Sequence, residues 1–147
     1  EEFKCLCKSL PSAKNNNLGL SNKEGRMNFY LLSSTGDSSL SIKQGYANKI
    51  EISVTTLDDY AYKNNITHCK LLKLEAEGWE PEIIEGGHDF IKRCEFVAID
   101  GGPERGQENQ TTFPSLNNQL IKFGFEMIEI RGPQYRALYR NMAFSNT

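Results

Sequence analysis

CKLLKLEAEGWEPEIIEGG, residues 69 to 87, decides the fold. Its apolar run Leu71, Leu72 and Leu74 breaks into an acidic turn (Glu75, Glu77, Gly78) and then into a helical pattern carrying Ile83 and Ile84. Such a run reads as a buried strand feeding a helix, with carboxylates at the strand's C-terminal mouth. Open α/β sheets bind ligands at that mouth, which makes the stretch the expected chemical centre.

Downstream the pattern repeats. Phe96 to Ile99 is a second apolar run, closed by Asp100 and the turn Gly101-Gly102-Pro103. Two parallel neighbouring strands would bring Glu75 and Asp100 to one edge of a sheet. Between them, Phe90 and Ile91 extend the apolar face of the helix that starts after Gly78, and Lys92 and Arg93 suit its C-terminal end. The polar stretch PERGQENQTT (103 to 112) reads as a loop, Phe113 to Phe123 as a helix with Gly124 at its C-cap. Phe125 to Ile130 and Tyr135 to Tyr139, around an RGPQ turn, read as a closing hairpin.

Upstream, Phe3, Leu6, Cys7 and Leu10 recur at helical spacing, and Pro11 ends that helix. Leu18 to Leu20 is a short strand, Ser21 to Gly25 a turn, and Met27 to Leu32 a second strand. Ser33 to Ser41 reads as a polar connector, its functional alternative being a flap over a pocket. Ile50, Ile52 and Val54 alternate with polar residues, as in a half-exposed strand that can pair with Met27 to Leu32. Thr56 and Asp59 have the spacing of a capping box, so a helix begins near Leu57 and runs towards Lys63, with Asp58 and Asp59 in its first turn. Strand and helix alternate over the last two thirds, which predicts an α/β sheet with parallel strands.

Composition narrows the function classes. At 147 residues and 38% hydrophobic, the chain is sized for a single domain with one core. The net charge of −2 comes from interspersed charges, with no basic run to follow a phosphate backbone, so nucleic acid is not an expected partner. No stretch approaches the roughly 18 apolar residues of a membrane span, and the first residues lack a signal-peptide core. Cys5, Cys7, Cys69 and Cys94 are scattered, and a lone C-x-C far from His68 and His88 carries no metal motif. No metal is expected. Reduced thiols fit a cytoplasmic setting. The triplets at Asn65 and Asn109 match the glycosylation pattern, which has no weight without secretion.

Taken together, TLDDY at Thr56 to Tyr60 and LLKLEAEGWEPEIIEGG about a dozen residues on resemble the C-terminal half of the FkbM family of S-adenosylmethionine-dependent methyltransferases. NNLGLSNKEGRMNFY before them and FVAIDGG, FGFEMIEI and LYRN after them resemble the flanking family segments. The resemblance implies a class I methyltransferase-like, Rossmann-like sheet with a C-terminal β-hairpin. It also implies S-adenosylmethionine as cofactor and methyl transfer to an oxygen of a small-molecule, sugar or lipid acceptor. Glu75, Glu77 and Asp100 then become the catalytic candidates, and Leu20, Ser21 and Glu75 the cofactor-side candidates. Glu75 stands where the family has Asp, Ala76 where it has a β-branched residue, and Asp100 where it commonly has Glu.

No glycine-rich turn follows an apolar strand near the start, although the family holds the methionine part of its cofactor with one. The expectation is a truncated domain spanning 1–147 that lacks the family's first two strands, so that the strand at Leu71 keeps an open edge. A second chain, a displaced segment such as Ile50 to Thr55, or a missing N-terminal part would cover it. The alternative function is a non-catalytic binding module with the same fold. A hydrolase using Glu75, Glu77 and Asp100 ranks third. Glu77 can otherwise cap the following helix, His88 reads as a surface residue beside Asp89, and Trp79 as a packing residue.

Overall fold

The computed structural model describes residues 2–32, 38–42 and 46–144. Its order is α1 (Glu2–Ser9), β1 (Gly19–Leu20), β2 (Gly25–Leu32), β3 (Tyr46–Thr55), α2 (Leu57–Lys63), β4 (Cys69–Leu74) and α3 (Glu80–Glu85). There follow β5 (Cys94–Asp100), β6 (Pro103–Arg105), β7 (Gln110–Thr111), α4 (Phe113–Lys122), β8 (Phe125–Arg131) and β9 (Arg136–Asn141). The strands form three sheets, ordered β1-β3-β2, β4-β5-β9-β8 and β6-β7. The fold is therefore mixed α/β.

The two runs that ended in acids pair as neighbours. β4 and β5 are parallel, in register from Cys69 opposite Cys94 to Leu74 opposite Ile99. The C-terminal hairpin completes this sheet with antiparallel pairs only, β5 with β9 and β9 with β8. Among the described residues, parallel pairing is thus confined to β4 with β5 and β1 with β3. Side chains alternate across a strand, and one face carries Leu74, Val97, Ile99, Ala137 and Tyr139 into the core. Leu57 and Ala61 of α2, Ile83 and Ile84 of α3, and Leu116 and Leu120 of α4 pack on that face. The opposite face carries Leu71, Lys73, Ala98 and Leu138, of which Leu71 is 53% exposed.

Local chemistry explains the element ends. Thr56 caps α2 as expected, accepting the Asp59 amide at 3.0 Å, and its hydroxyl donates to the Asp59 carboxylate. The helix predicted through Arg93 is shorter: α3 ends at Glu85, and a 3-10 turn follows at Ile91–Arg93. Two features stop it. Gly86 and Gly87 favour a break, and the Asp58 carboxylate takes the amides of Asp89 and Phe90, at 3.1 and 2.6 Å. The predicted loop at 103 to 112 also differs, since β6 and β7 form a short antiparallel ladder.

Ile50 to Thr55 does not cover β4. As part of β3 it pairs with β2 on one side and β1 on the other, because its alternating pattern meets that of Met27 to Leu32. β4 keeps one edge without a strand among the described residues. The connector Ser33 to Ser41 falls partly outside the described residues; of the rest, Ser39 bridges by backbone to Tyr30 and is buried.

Candidate functional site

The register of the four-stranded sheet builds a charged cleft. Lys73, Ala98, Leu138 and Glu129 lie in one row across β4, β5, β9 and β8, with Asp100, Arg136 and Arg131 in the next. Glu75, just past the end of β4, continues that second row. Together these residues line a cleft of about 550 Å³. Three ion pairs share it: Lys73 with Glu75, Arg136 Nε with Asp100 Oδ2 at 2.7 Å, and Arg131 with Glu129 at 2.5 Å. Cation and anion balance, so the cleft has no net field for a strongly charged ligand.

Among the described residues, Asp100 is paired through one oxygen alone. It is 6% exposed, and its second oxygen, Oδ1, has no hydrogen-bond partner among the described residues. A buried acceptor left unmade costs about 1–3 kcal/mol. A ligand that offers an O–H or N–H to Oδ1 recovers that cost on binding. The Asp100 carboxylate in turn raises the Arg136 pKa, chiefly through their hydrogen bond.

Beside the cleft, the turn from Glu75 to Gly78 is held from several sides. Glu77 and Gly78 have φ of 52° and 92°, left-handed values that cost a residue with a side chain about 1–2 kcal/mol. Glu80 is fully buried, and its Oε1 accepts the amides of Ala76 (2.7 Å) and Gly78 (3.2 Å). Its Oε2 accepts the Thr112 hydroxyl at 3.3 Å. The Ser39 hydroxyl donates to the Glu77 carbonyl at 2.8 Å. Arg105 donates to the Gly78 carbonyl at 2.9 Å, pairs with both oxygens of Glu82, and lies 5.9 Å from the centre of the Trp79 ring. A Cβ on Gly78 would meet the Arg105 backbone at 2.9 Å, so the turn needs glycine twice over.

Of the sequence candidates, Glu75 and Asp100 share the cleft. Glu77 sits on the turn outside it, and the role of amide acceptor at the start of α3 belongs to Glu80. Ser21 is fully buried, with its hydroxyl facing Trp79 Nε1 at 3.4 Å and Asn22 Oδ1 at 3.4 Å. Leu20 lines a separate cavity of about 190 Å³ with Asn16, Leu18, Leu57 and Tyr60. Trp79 is half-buried and packs against the core, while His88 is exposed beside Asp89 and Lys92. Among the described residues no group of three or more His, Cys, Asp or Glu could hold a metal ion, and no helix is long and apolar enough to cross a membrane. Sequence reading missed Glu80, Arg105, Arg131 and Arg136. An acid one residue before Pro81 at a helix start was the signal for Glu80; the arginines depend on long-range pairing.

The family model described as the methyltransferase FkbM domain matches residues 2–127. The chain belongs to the FkbM methyltransferase domain family. No curated protein and no solved structure matches it. In this FkbM domain the acid turn after β4 and the acid at the end of β5 sit side by side. Of the cofactor-side candidates, Glu75 lines this cleft with Asp100, Leu20 lines the smaller cavity, and Ser21 is buried beside Trp79.

Proposed function

We propose that this FkbM domain provides the acceptor side of a methyl transfer from S-adenosylmethionine to a hydroxyl oxygen of a small-molecule, sugar or lipid acceptor. In this reading the four-stranded sheet belongs to a class I methyltransferase-like arrangement. The observation that carries it is Asp100 Oδ1, a buried carboxylate oxygen in the cleft with no partner among the described residues. An acceptor hydroxyl donating to Oδ1 is oriented by it, and its proton has a nearby base as the oxygen forms its new bond. Arg136 holds Asp100 from the other oxygen and so fixes the direction of Oδ1. Glu75, anchored by Lys73, is the second carboxylate within the cleft. Glu77 stiffens the turn through its backbone. These residues orient the acceptor and accept a proton; the methyl group and its activation come with the cofactor.

A second reading, a binding module that keeps the fold without cofactor affinity, draws on Leu20 and Glu75 lining different cavities. Calorimetric titration with S-adenosylmethionine separates the two. Binding in the micromolar range, with transfer of labelled methyl to a hydroxylated acceptor that Asp100→Asn abolishes, is the outcome expected of the enzyme. Absence of heat at millimolar cofactor sinks the catalytic reading for residues 1–147 and leaves the binding module.

A further inference from the structure

At the end of the sheet opposite the acids, two thiols face each other. Cys69, the first residue of β4, is the register partner of Cys94, the first residue of β5. Partners in a parallel pair project to the same face, and neighbouring strands lie about 4.8 Å apart. That spacing falls within the roughly 4.4–6.8 Å between Cα atoms that a disulfide spans. Both cysteines are free thiols, Cys94 fully buried and Cys69 half-buried. β4 has no strand on its other side among the described residues, so a small reagent can approach Cys69 from the open edge.

We propose that Cys69 and Cys94 are a redox pair that closes to an intrachain disulfide under a low-molecular-weight disulfide such as glutathione disulfide. Cys69 attacks as the thiolate, breaking the S–S bond of the reagent, forming a mixed disulfide and releasing one glutathione thiolate. The Cys94 sulfur then attacks the Cys69 sulfur; the second glutathione leaves as thiolate and takes the Cys94 proton. The balance is two protein thiols oxidised to one disulfide and one glutathione disulfide reduced to two glutathiones.

The order of attack follows from the surroundings. Burial, and then the neighbouring Cys69, push the Cys94 thiol up to about 12, so Cys94 does not react first; it attacks only within the mixed disulfide, giving up its proton to the departing glutathione as the new S–S bond forms. Its sulfur now donates to the Phe90 carbonyl at 3.6 Å. Losing that hydrogen leaves no orphan, because the same carbonyl accepts the Arg93 amide at 2.8 Å. The link would tie the N-terminal ends of the two strands whose C-terminal ends carry Glu75 and Asp100, and so fix the lateral spacing of the acids.

The test uses the full chain with its natural cysteines. The folded protein is incubated with glutathione disulfide, then denatured, alkylated and mapped by mass spectrometry without reduction. Expected are a Cys69–Cys94 linked peptide lighter by two hydrogens, loss of alkylation at both residues, a monomer on a non-reducing gel, and full reversal by dithiothreitol. A Cys94→Ala variant should stop at a glutathione adduct on Cys69. Glutathione persisting on Cys69 of the natural chain, with Cys94 alkylated, overturns the proposal. So does pairing of Cys69 with Cys5, Cys7 or a second chain, or no reaction at either residue.

Discussion

Glu80 is the residue on which the acid turn depends. Replacing it with Ala leaves the Ala76 and Gly78 amides without their acceptor in a buried place, a loss of about 2–5 kcal/mol in urea unfolding. Gln retains an oxygen for both amides and should cost about 1–2 kcal/mol. An Ala variant as stable as the parent would show that the turn is held by Arg105 and Ser39 alone. Asp100→Asn belongs to the other class. It keeps size and shape, weakens only the Arg136 pair at the rim, and should act on acceptor turnover with little change in unfolding midpoint. Glu75 and Asp100 were legible in the sequence because each ends an apolar run before glycine. Glu80 offered only its place before Pro81, because its partners, two backbone amides and the distant Thr112 hydroxyl, leave no local pattern.

At the scale of elements, the cap of α2 and the seam beside α3 give contrasting predictions. Thr56→Ala removes one side-chain acceptor at a helix start and should cost about 1 kcal/mol by thermal unfolding. Gly86→Ala is harsher, for a Cβ there would lie 2.2 Å from the Ser21 carbonyl oxygen. Backbone must move, and a loss of about 3 kcal/mol or more is expected. Gly124→Ala is the control. Its φ of 87° is unfavourable, but nothing lies within 4 Å, so only the conformational cost of about 1–2 kcal/mol applies. Equal effects at the two glycines would contradict the close approach at Gly86.

Nearly all strands and helices were readable from periodicity, and the α2 start from Thr56 and Asp59. The end of α3 was not, because the group that stops it, the Asp58 carboxylate, lies some thirty residues upstream of the amides it binds. The β6–β7 ladder was hidden for a different reason: two- and three-residue strands are too short to show a period.

For the whole molecule, the alkaline side of stability follows from two buried acids. Cys94 is pushed from 9.0 to about 12 by burial and its thiol neighbour, Tyr139 from 10.0 to about 12 by burial. Both values are raised on folding, so the stability they contribute is complete below the unfolded values and is lost as pH climbs. Unfolding free energy should decline from about pH 9, steepen above 10 and continue falling to about 12, with a limiting slope near 1.4 kcal/mol per pH unit for each group. Tyr139→Phe should remove the steeper part, read from denaturant midpoints at graded pH. A flat profile would mean that both groups reach solvent in the native protein.

The sheet orders explain why the tertiary arrangement was only half legible. Pairing of β4 with β5 follows from two similar apolar runs, and that of β3 with β2 from the alternation at Ile50, Ile52 and Val54, whereas β1 beside β3 and β9 beside β5 join segments with no pattern in common.

Between Gly86 and the Ser21 carbonyl there is no side chain to yield, and the Gly86 carbonyl in turn accepts the Asp58 amide at 3.0 Å. Main chain rests directly on main chain where the three-stranded sheet meets α3. Such a joint is a weld rather than a cushion: no rotamer change can take up a shift there, so any displacement of the Ser21 main chain has to be met by the main chain at the end of α3.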